Sequence, residues 1–369
     1  MRPKRVVLGA VAILAGVLGG LIVAEIVLRL ATDPVHLPLD LEASALLRYR
    51  LDWHHDRPPG RSSVDIARAP VGCTEPSTRI YIGGDSWVQS QVVFQSFVDT
   101  IAMRFSREME GRCAEIINTG TGSFAPTTIT AKLIAAMKEH GRADLIVIHI
   151  DETDLMDEWV RYRPSRVEAS DGRTIAVVPF VPDLPEMIYY AGLSSISARP
   201  LYTLRFAEYM YLRYVLLPGV RLSIARLGML PDYKSIMAPQ REGLADGKYD
   251  GAVKWFEARV KEMIQRLRNE NEHVPVVITT HPHFLHLIND ESKRYRFRVA
   301  NVLQDVLERS LGRNVHFSDA ASNMEGIYGR DLRNLFRWPS DLFSHLTPEA
   351  EERFGAWLAS ECLRYLKVP

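Results

Sequence analysis

The chain has 369 residues, 47% of them apolar and 24% charged, with 45 basic and 45 acidic side chains and a formal charge of zero. That length suits one large domain or two modest ones of ordinary globular composition. The balanced charge excludes the strongly basic surface of a general nucleic-acid binder.

The first segment, residues 1–30, departs from that average. "MRPKR" is followed by 19 residues without a charge, Val6 to Ala24. At about 1.5 Å per residue, such a run is long enough to cross a hydrocarbon core of about 30 Å. Arg2, Lys4 and Arg5 on its leading side predict a cytoplasmic N-terminus, with everything after about residue 30 outside. A cleaved signal peptide is the rival reading; the length of the run and the lack of an A-x-A site favour an uncleaved anchor. Residues 31–75 are rich in Pro, Arg and Asp and read as a stem or linker.

From residue 76 to 369 the chain reads as one domain interrupted by an insertion at 160–249. Short apolar runs, "RIYIGG", "AEIIN", "DLIVIHI", "VPVVITT" and "NVHFS", alternate with longer helical patterns. The runs are continuous rather than alternating, as in strands covered on both faces. Five such units predict a doubly wound five-stranded parallel sheet, with its reactive crevice at the carboxyl ends of the strands. Inside the insertion, "RTIAVVPFV" is a short strand candidate. Residues 198–228 then hold five arginines and one glutamate among Tyr and Phe, as an amphipathic helix packed on the domain, a membrane-surface helix or a saccharide-binding cap would. Of three cysteines, Cys362 falls on the apolar stripe of the last helix. Cys73 and Cys113 precede the first two strands; a bridge between them and a pair of reduced thiols both remain open.

Ser86 follows the first strand, at the reactive edge, and a helix follows it. A cap serine and a nucleophile look alike there, so the distant residues matter more. A nucleophilic serine needs a base, and the base an orienting group. Of 11 histidines, His54 and His55 lie in the stem, His149 within a strand, and His273 and His316 at strand starts. His281, His283 and His286 follow the fourth strand. His345 is the best placed base, in a loop fixed by Thr347 as helix cap and Pro348 at the first helical position. Asp341, four residues upstream, is placed to orient its ring.

"GGDSW", "NTGTGSFAP", "DETD" and "DLFSHLTPEA", in that order and spacing, resemble the four blocks of the SGNH (GDSL-type) hydrolases, most closely membrane-anchored bacterial members. The resemblance covers about residues 76–160 and 250–369. It implies a flavodoxin-like three-layer sandwich, esterase or acyl-transfer chemistry, and neither metal nor organic cofactor. Carried over, Ser86 is the nucleophile, His345 the base and Asp341 the acid. The amides of Ser86 and of the Asn118–Ser123 loop (Gly122, Ser123) form the oxyanion hole, with Thr153 as side-chain donor. Three departures stand out. Ser123 replaces a glycine, Thr153 replaces an asparagine, and the acid-to-base spacing is D-x-x-x-H rather than D-x-x-H, so that Asp331 or a backbone carbonyl is an alternative to Asp341.

The expected function is therefore an extracytoplasmic serine esterase on the bacterial inner membrane. Its expected partners are the membrane, through the N-terminal helix, and acylated saccharides, chosen because "THPHF" and "DETD" put polar and aromatic groups at the site edge. An O-acyltransferase and a non-catalytic saccharide-binding member are the alternatives. "GTGSFA" also matches a dinucleotide-binding G-x-G-x-x-A, with Asp151 ending the next strand. It sits in the second unit and runs directly into Pro126, which weakens the match. Asp151, Asp154 and Asp157 read as a polar loop and helix start rather than as metal ligands.

Overall fold

The computed structural model describes residues 16–27, 64–70, 76, 78–108, 112–122, 124–168, 170, 174–177, 201–226, 249–281, 299–310, 314–329, 335–336 and 345–366. The chain divides into two compact units, Met1–Leu51 with Pro179–Leu230, and Asp52–Val178 with Pro231–Pro369.

The second unit holds a six-stranded sheet. Its strands are β1 (Asp65–Ala69), β2 (Thr78–Gly83), β3 (Ala114–Asn118), β4 (Leu145–His149), β7 (Val276–Thr280) and β8 (Val315–Asp319), in the spatial order β1-β3-β2-β4-β7-β8. All neighbours pair in parallel except β1, which runs antiparallel along β3. Every residue of β3, β4 and β7 is buried, which explains their unbroken apolar runs. The parallel strands follow the order 2-1-3-4-5. This order reverses direction between β2 and β4, and the crevice at their carboxyl ends is where such folds bind ligands.

The sequence led us to expect five strands and a stem as far as residue 75. β1 corrects both. Its residues, DIARA, are mostly exposed, and an edge strand needs no continuous apolar run. "RTIAVVPFV" does contain a strand, β6 (Thr174–Val177), which forms a two-stranded ribbon with β5 (Arg166–Glu168) rather than joining the main sheet.

Two helices bring the ends of this unit together. α3 (Gln91–Glu108) packs along α11 (Pro348–Leu363), and Ser96 Oγ donates to the Glu352 carbonyl at 2.6 Å. Gly355 lies directly against the Val93 backbone, where a side chain would not fit. Ser90 Oγ donates to Glu351 Oε2 at 2.7 Å, tying the start of α3 to the first turn of α11. Elsewhere α4 (Pro126–His140) packs on α8 (Asp250–Glu270). α8 buries Ala252, Phe256, Val260, Met263, Ile264 and Leu267, a single apolar stripe at helical spacing. Cys113 is disulfide-bonded, and Cys362 is a free, fully buried thiol pushed up by that burial. Cys73 lies outside the described residues.

The first unit contains helix α1 (residues 16–27) and a long helix made of α6 (Tyr202–Tyr211), a wider π-helical turn (Leu212–Leu216) and α7 (Leu217–Arg226). Among the described residues no helix is long and apolar enough to cross a membrane; residues 6–15 of the apolar run lie outside them.

Candidate active site

At the end of β2 the chain turns through Gly84 and Asp85 into α2 (Ser86–Gln89). A Cβ on Gly84 would lie 2.7 Å from Val88 Cγ2 and 3.0 Å from the His149 carbonyl oxygen, so only glycine fits so close to β4. Asp85 caps α2, its Oδ1 accepting the Trp87 amide at 3.1 Å. The cap is thus supplied by the aspartate, and the serine hydroxyl is not spent on it.

Ser86 Oγ lies 3.4 Å from His345 Nε2, across 259 positions of chain. His345 is half-buried and precedes Leu346, which is fully buried and bridges to Phe336. The Thr347 amide donates to the Leu335 carbonyl at 2.9 Å, and α11 starts at Pro348. The loop is held at three successive residues, which limits how far the imidazole can drift. Asp341 and Asp331 lie outside the described residues, as do Ser123, His283 and His286.

The loop after β3 is pinned from within. Thr119 Oγ1 donates to the Ile82 carbonyl at 2.9 Å, the Gly120 amide to Asn118 Oδ1 at 2.9 Å, and the Thr121 amide to the Gly84 carbonyl at 3.0 Å. The Gly120 and Thr121 amides are thus both engaged within the protein. The Gly122 amide differs in donating to a half-buried side chain, Gln89 Oε1, at 2.8 Å. A Cβ on Gly122 would lie 3.8 Å from Ser86 Cβ, so this amide is beside the serine. Thr153 is buried, and its hydroxyl donates to Asp151 Oδ2 at 2.9 Å, away from the role of oxyanion donor expected of it.

Beneath Ser86 runs a polar array that the sequence did not reveal. His149 Nδ1 is 3.2 Å from Asp85 Oδ1, His149 Nε2 is 2.9 Å from His281 Nδ1, and His281 Nε2 is 3.9 Å from Asp151 Oδ1. All four residues are at most 2% exposed. Asp85 Oδ1 already accepts the Trp87 amide, so it accepts from His149 Nδ1–H as well. His149 Nε2 then accepts from His281 Nδ1–H, and His281 Nε2 faces Asp151. Burial first, and then the charge of Asp85, push the Asp151 carboxyl well above its usual range. Asp154 is raised for the same reasons, with Asp151 adding to them, and accepts the Asp151 amide at 2.8 Å. Asp157 pairs with Arg161 at 3.1 Å. The three aspartates are therefore loop and helix-start residues.

Trp87 joins the two layers of histidine. Its ring stands 3.4 Å from that of His281 and 6.0 Å from that of His345, the latter stacked at 21°. Phe354 of α11 meets His149 edge-on at 5.7 Å. The signal available in sequence was positional: Asp85, His149 and His281 end three neighbouring apolar strands at the same edge.

Lys132 of α4 is buried behind the loop and donates to Thr121 Oγ1. Burial lowers its ammonium to about 7, against a weaker opposing pull from Asp65. With a depressed value, the folded chain holds fewer protons here than the unfolded chain between about pH 7 and 10.5. This contribution to stability therefore rises with pH across that window and is unfavourable below it. Lys132→Met is expected to remove that rise: urea midpoints of the variant should climb less from pH 6 to 10, and its advantage over the parent should shrink as pH rises.

No protein-family model and no curated protein sequence matches the chain. Solved structures similar to it include the salicylyl-acyltransferase SsfX3 of a tetracycline biosynthetic pathway (12% identity, TM-score 0.34, covering 80% of this chain and 56% of that one). Others are the acetyl xylan esterase Est2A of the rumen bacterium Butyrivibrio proteoclasticus (9%, 0.35, 80% and 66%) and a mutant of Axe2, the acetyl-xylooligosaccharide esterase of Geobacillus Stearmophilus (11%, 0.38, 80% and 97%). The chain thus spans 56% and 66% of the length of the first two. At these identities and TM-scores, the reading of function rests on the residues described above.

Proposed function

We propose that the chain is an SGNH-type serine esterase, anchored by its N-terminal segment and acting outside the cytoplasm on small O-acyl esters of envelope saccharides. One observation carries the reading: Ser86 Oγ lies 3.4 Å from His345 Nε2 at the carboxyl end of a central strand, with Asp85 rather than Ser86 capping the helix. His345 takes the hydroxyl proton as Ser86 attacks the ester carbonyl. The protonated imidazole returns it to the leaving alcohol, and an acyl-serine remains. A water, or a sugar hydroxyl in the transfer variant, then reverses these steps. Asp341 is assigned as the acid that orients the imidazole.

The amides of Ser86 and Gly122 are assigned to the developing oxyanion. In the resting protein Gln89 Oε1 occupies the Gly122 amide, a carbonyl oxygen standing where the substrate's would go. Substrate must displace it, at a cost of about 1 kcal/mol for one neutral hydrogen bond. Gln89→Ala is accordingly expected to raise kcat/KM about 3–10-fold, measured on an activated acyl ester. Thr153 is left out of the assignment, since its one proton is held by Asp151.

A small acyl group is favoured because Trp87 and Val88, beside Ser86, are packed into the core rather than lining a channel. The "DETD" segment is buried and does not support the saccharide; Glu152, for example, holds the Val299 amide at 2.8 Å. The disulfide at Cys113 supports an oxidising compartment. The test is acyl release from acetylated saccharides by the full chain, with and without a sugar acceptor. Release that requires Ser86 is the expected result, and an acceptor-dependent acyl-sugar would identify transfer. Failure to turn over any ester would overturn the reading.

A further inference from the structure

In the first unit, one side chain joins α1 to the inserted helix. Glu25 Oε2 accepts both the amide and the hydroxyl of Thr203, at 2.8 and 3.0 Å. A carboxylate at the first turn of a helix satisfies amides that have no intrahelical partner and complements the helix dipole. Glu25 therefore holds the start of the inserted helix against the end of the apolar run.

That helix leaves its apolar side uncovered. Leu204, Phe206, Met210, Tyr211, Tyr214 and Val215 are each 38–60% exposed, while Leu212 is buried. At 100° per residue, the members within α6 fall in an arc of about 160°. Most monomeric proteins do not expose a contiguous apolar face of this kind. From 198 to 228 the sequence also carries five arginines against one glutamate, a balance that attracts anionic headgroups. Arg213 falls at the middle of the helix and Glu208 five residues before it, which makes it costly as a membrane span.

We propose that the helix Tyr202–Arg226 lies along the surface of the bilayer that the N-terminal run crosses, its apolar face among the acyl chains at the interface. The proposal rests on the reading of residues 6–24 as a membrane anchor. Continuity through Glu25 selects the lipid as occupant, because the apolar face begins beside the anchor's outer end. A helix of this kind adds a second attachment to the one the anchor supplies.

The test uses the full chain in vesicles of phosphatidylethanolamine and phosphatidylglycerol. An environment-sensitive fluorophore is attached under non-reducing conditions to Val17→Cys, Met210→Cys or Ser223→Cys. Cys113 is disulfide-bonded and Cys362 buried, so neither competes for the label. The expected result is blue-shifted emission quenched by lipid-borne quenchers at 17 and 210, and emission quenched by aqueous iodide at 223. Phosphatidylcholine in place of phosphatidylglycerol should weaken the signal at 210 only. A label at 17 in lipid with one at 210 in water would overturn this inference alone, and would be the outcome for a saccharide-binding cap. Labels at 17 and 210 both in water would overturn the anchor as well. All three in lipid would make the helix a span and also overturn the surface placement.

Discussion

Ser86→Ala is expected to lower acyl-ester turnover about 10³–10⁶-fold while leaving the fold intact. The size follows from the role assigned: without Oγ no acyl-enzyme forms, and only binding and the oxyanion amides remain to catalyse. The fold should survive because Ser86 is half-buried and the cap of α2 belongs to Asp85. A half-buried hydroxyl whose contact with His345 is as long as 3.4 Å changes stability by about 0.5 kcal/mol or less. His345→Ala should give a loss of similar size, and the double variant little more than either. Nucleophile and base act as one unit, so their effects do not add. Equal losses from three folded variants would separate catalysis from damage; additive losses would mean the two side chains do not work on one proton.

Asp85→Ala should have the largest effect on stability, about 3–5 kcal/mol, read from urea unfolding. Asp85 is 2% exposed, and its Oδ1 is the acceptor for both the Trp87 amide and His149. Truncation leaves two buried donors without that acceptor, each costing about 1–3 kcal/mol. It also opens a cavity beneath the turn that carries Ser86. Asp85→Asn retains an acceptor oxygen and the volume, and should cost less than half as much. It also removes the charge that raises Asp151 and Asp154, so part of the loss is returned there. If alanine and asparagine proved equally mild, the array would not be holding the turn.

β3, β4 and β7 were legible because every residue in them is buried, while the half-buried edge strand β8 was found as a short run following a helical pattern. β1 was not, because its mostly exposed DIARA carries two charges and no apolar run. The approach of Ser86 to His345 was an expectation from the sequence: a serine after the first strand and a histidine just before the capped last helix both fall at the carboxyl edge of a doubly wound sheet, and the two side chains lie 3.4 Å apart. The cap was left open by the sequence, and the structure gives it to Asp85 rather than Ser86. Either side chain of "DS" can cap a helix. The buried array was missed because a histidine ending an apolar strand, as His149 does, looks like an isolated core residue. Its partners Asp85 and His281 are 64 and 132 positions away, and only the strand order makes them neighbours. "DETD" was expected at the rim for its charge, yet its acids are buried and Asp151 and Asp154 are raised by that burial.

The most direct measurement is the rate at which a fluorophosphonate labels Ser86, mapped by peptide mass spectrometry in the full chain and in His345→Gln. The account predicts a single adduct on Ser86 and labelling slowed by about 10³-fold or more in the variant. A folded protein that leaves Ser86 unlabelled, or labels it equally fast without the imidazole, would show that this hydroxyl is not activated.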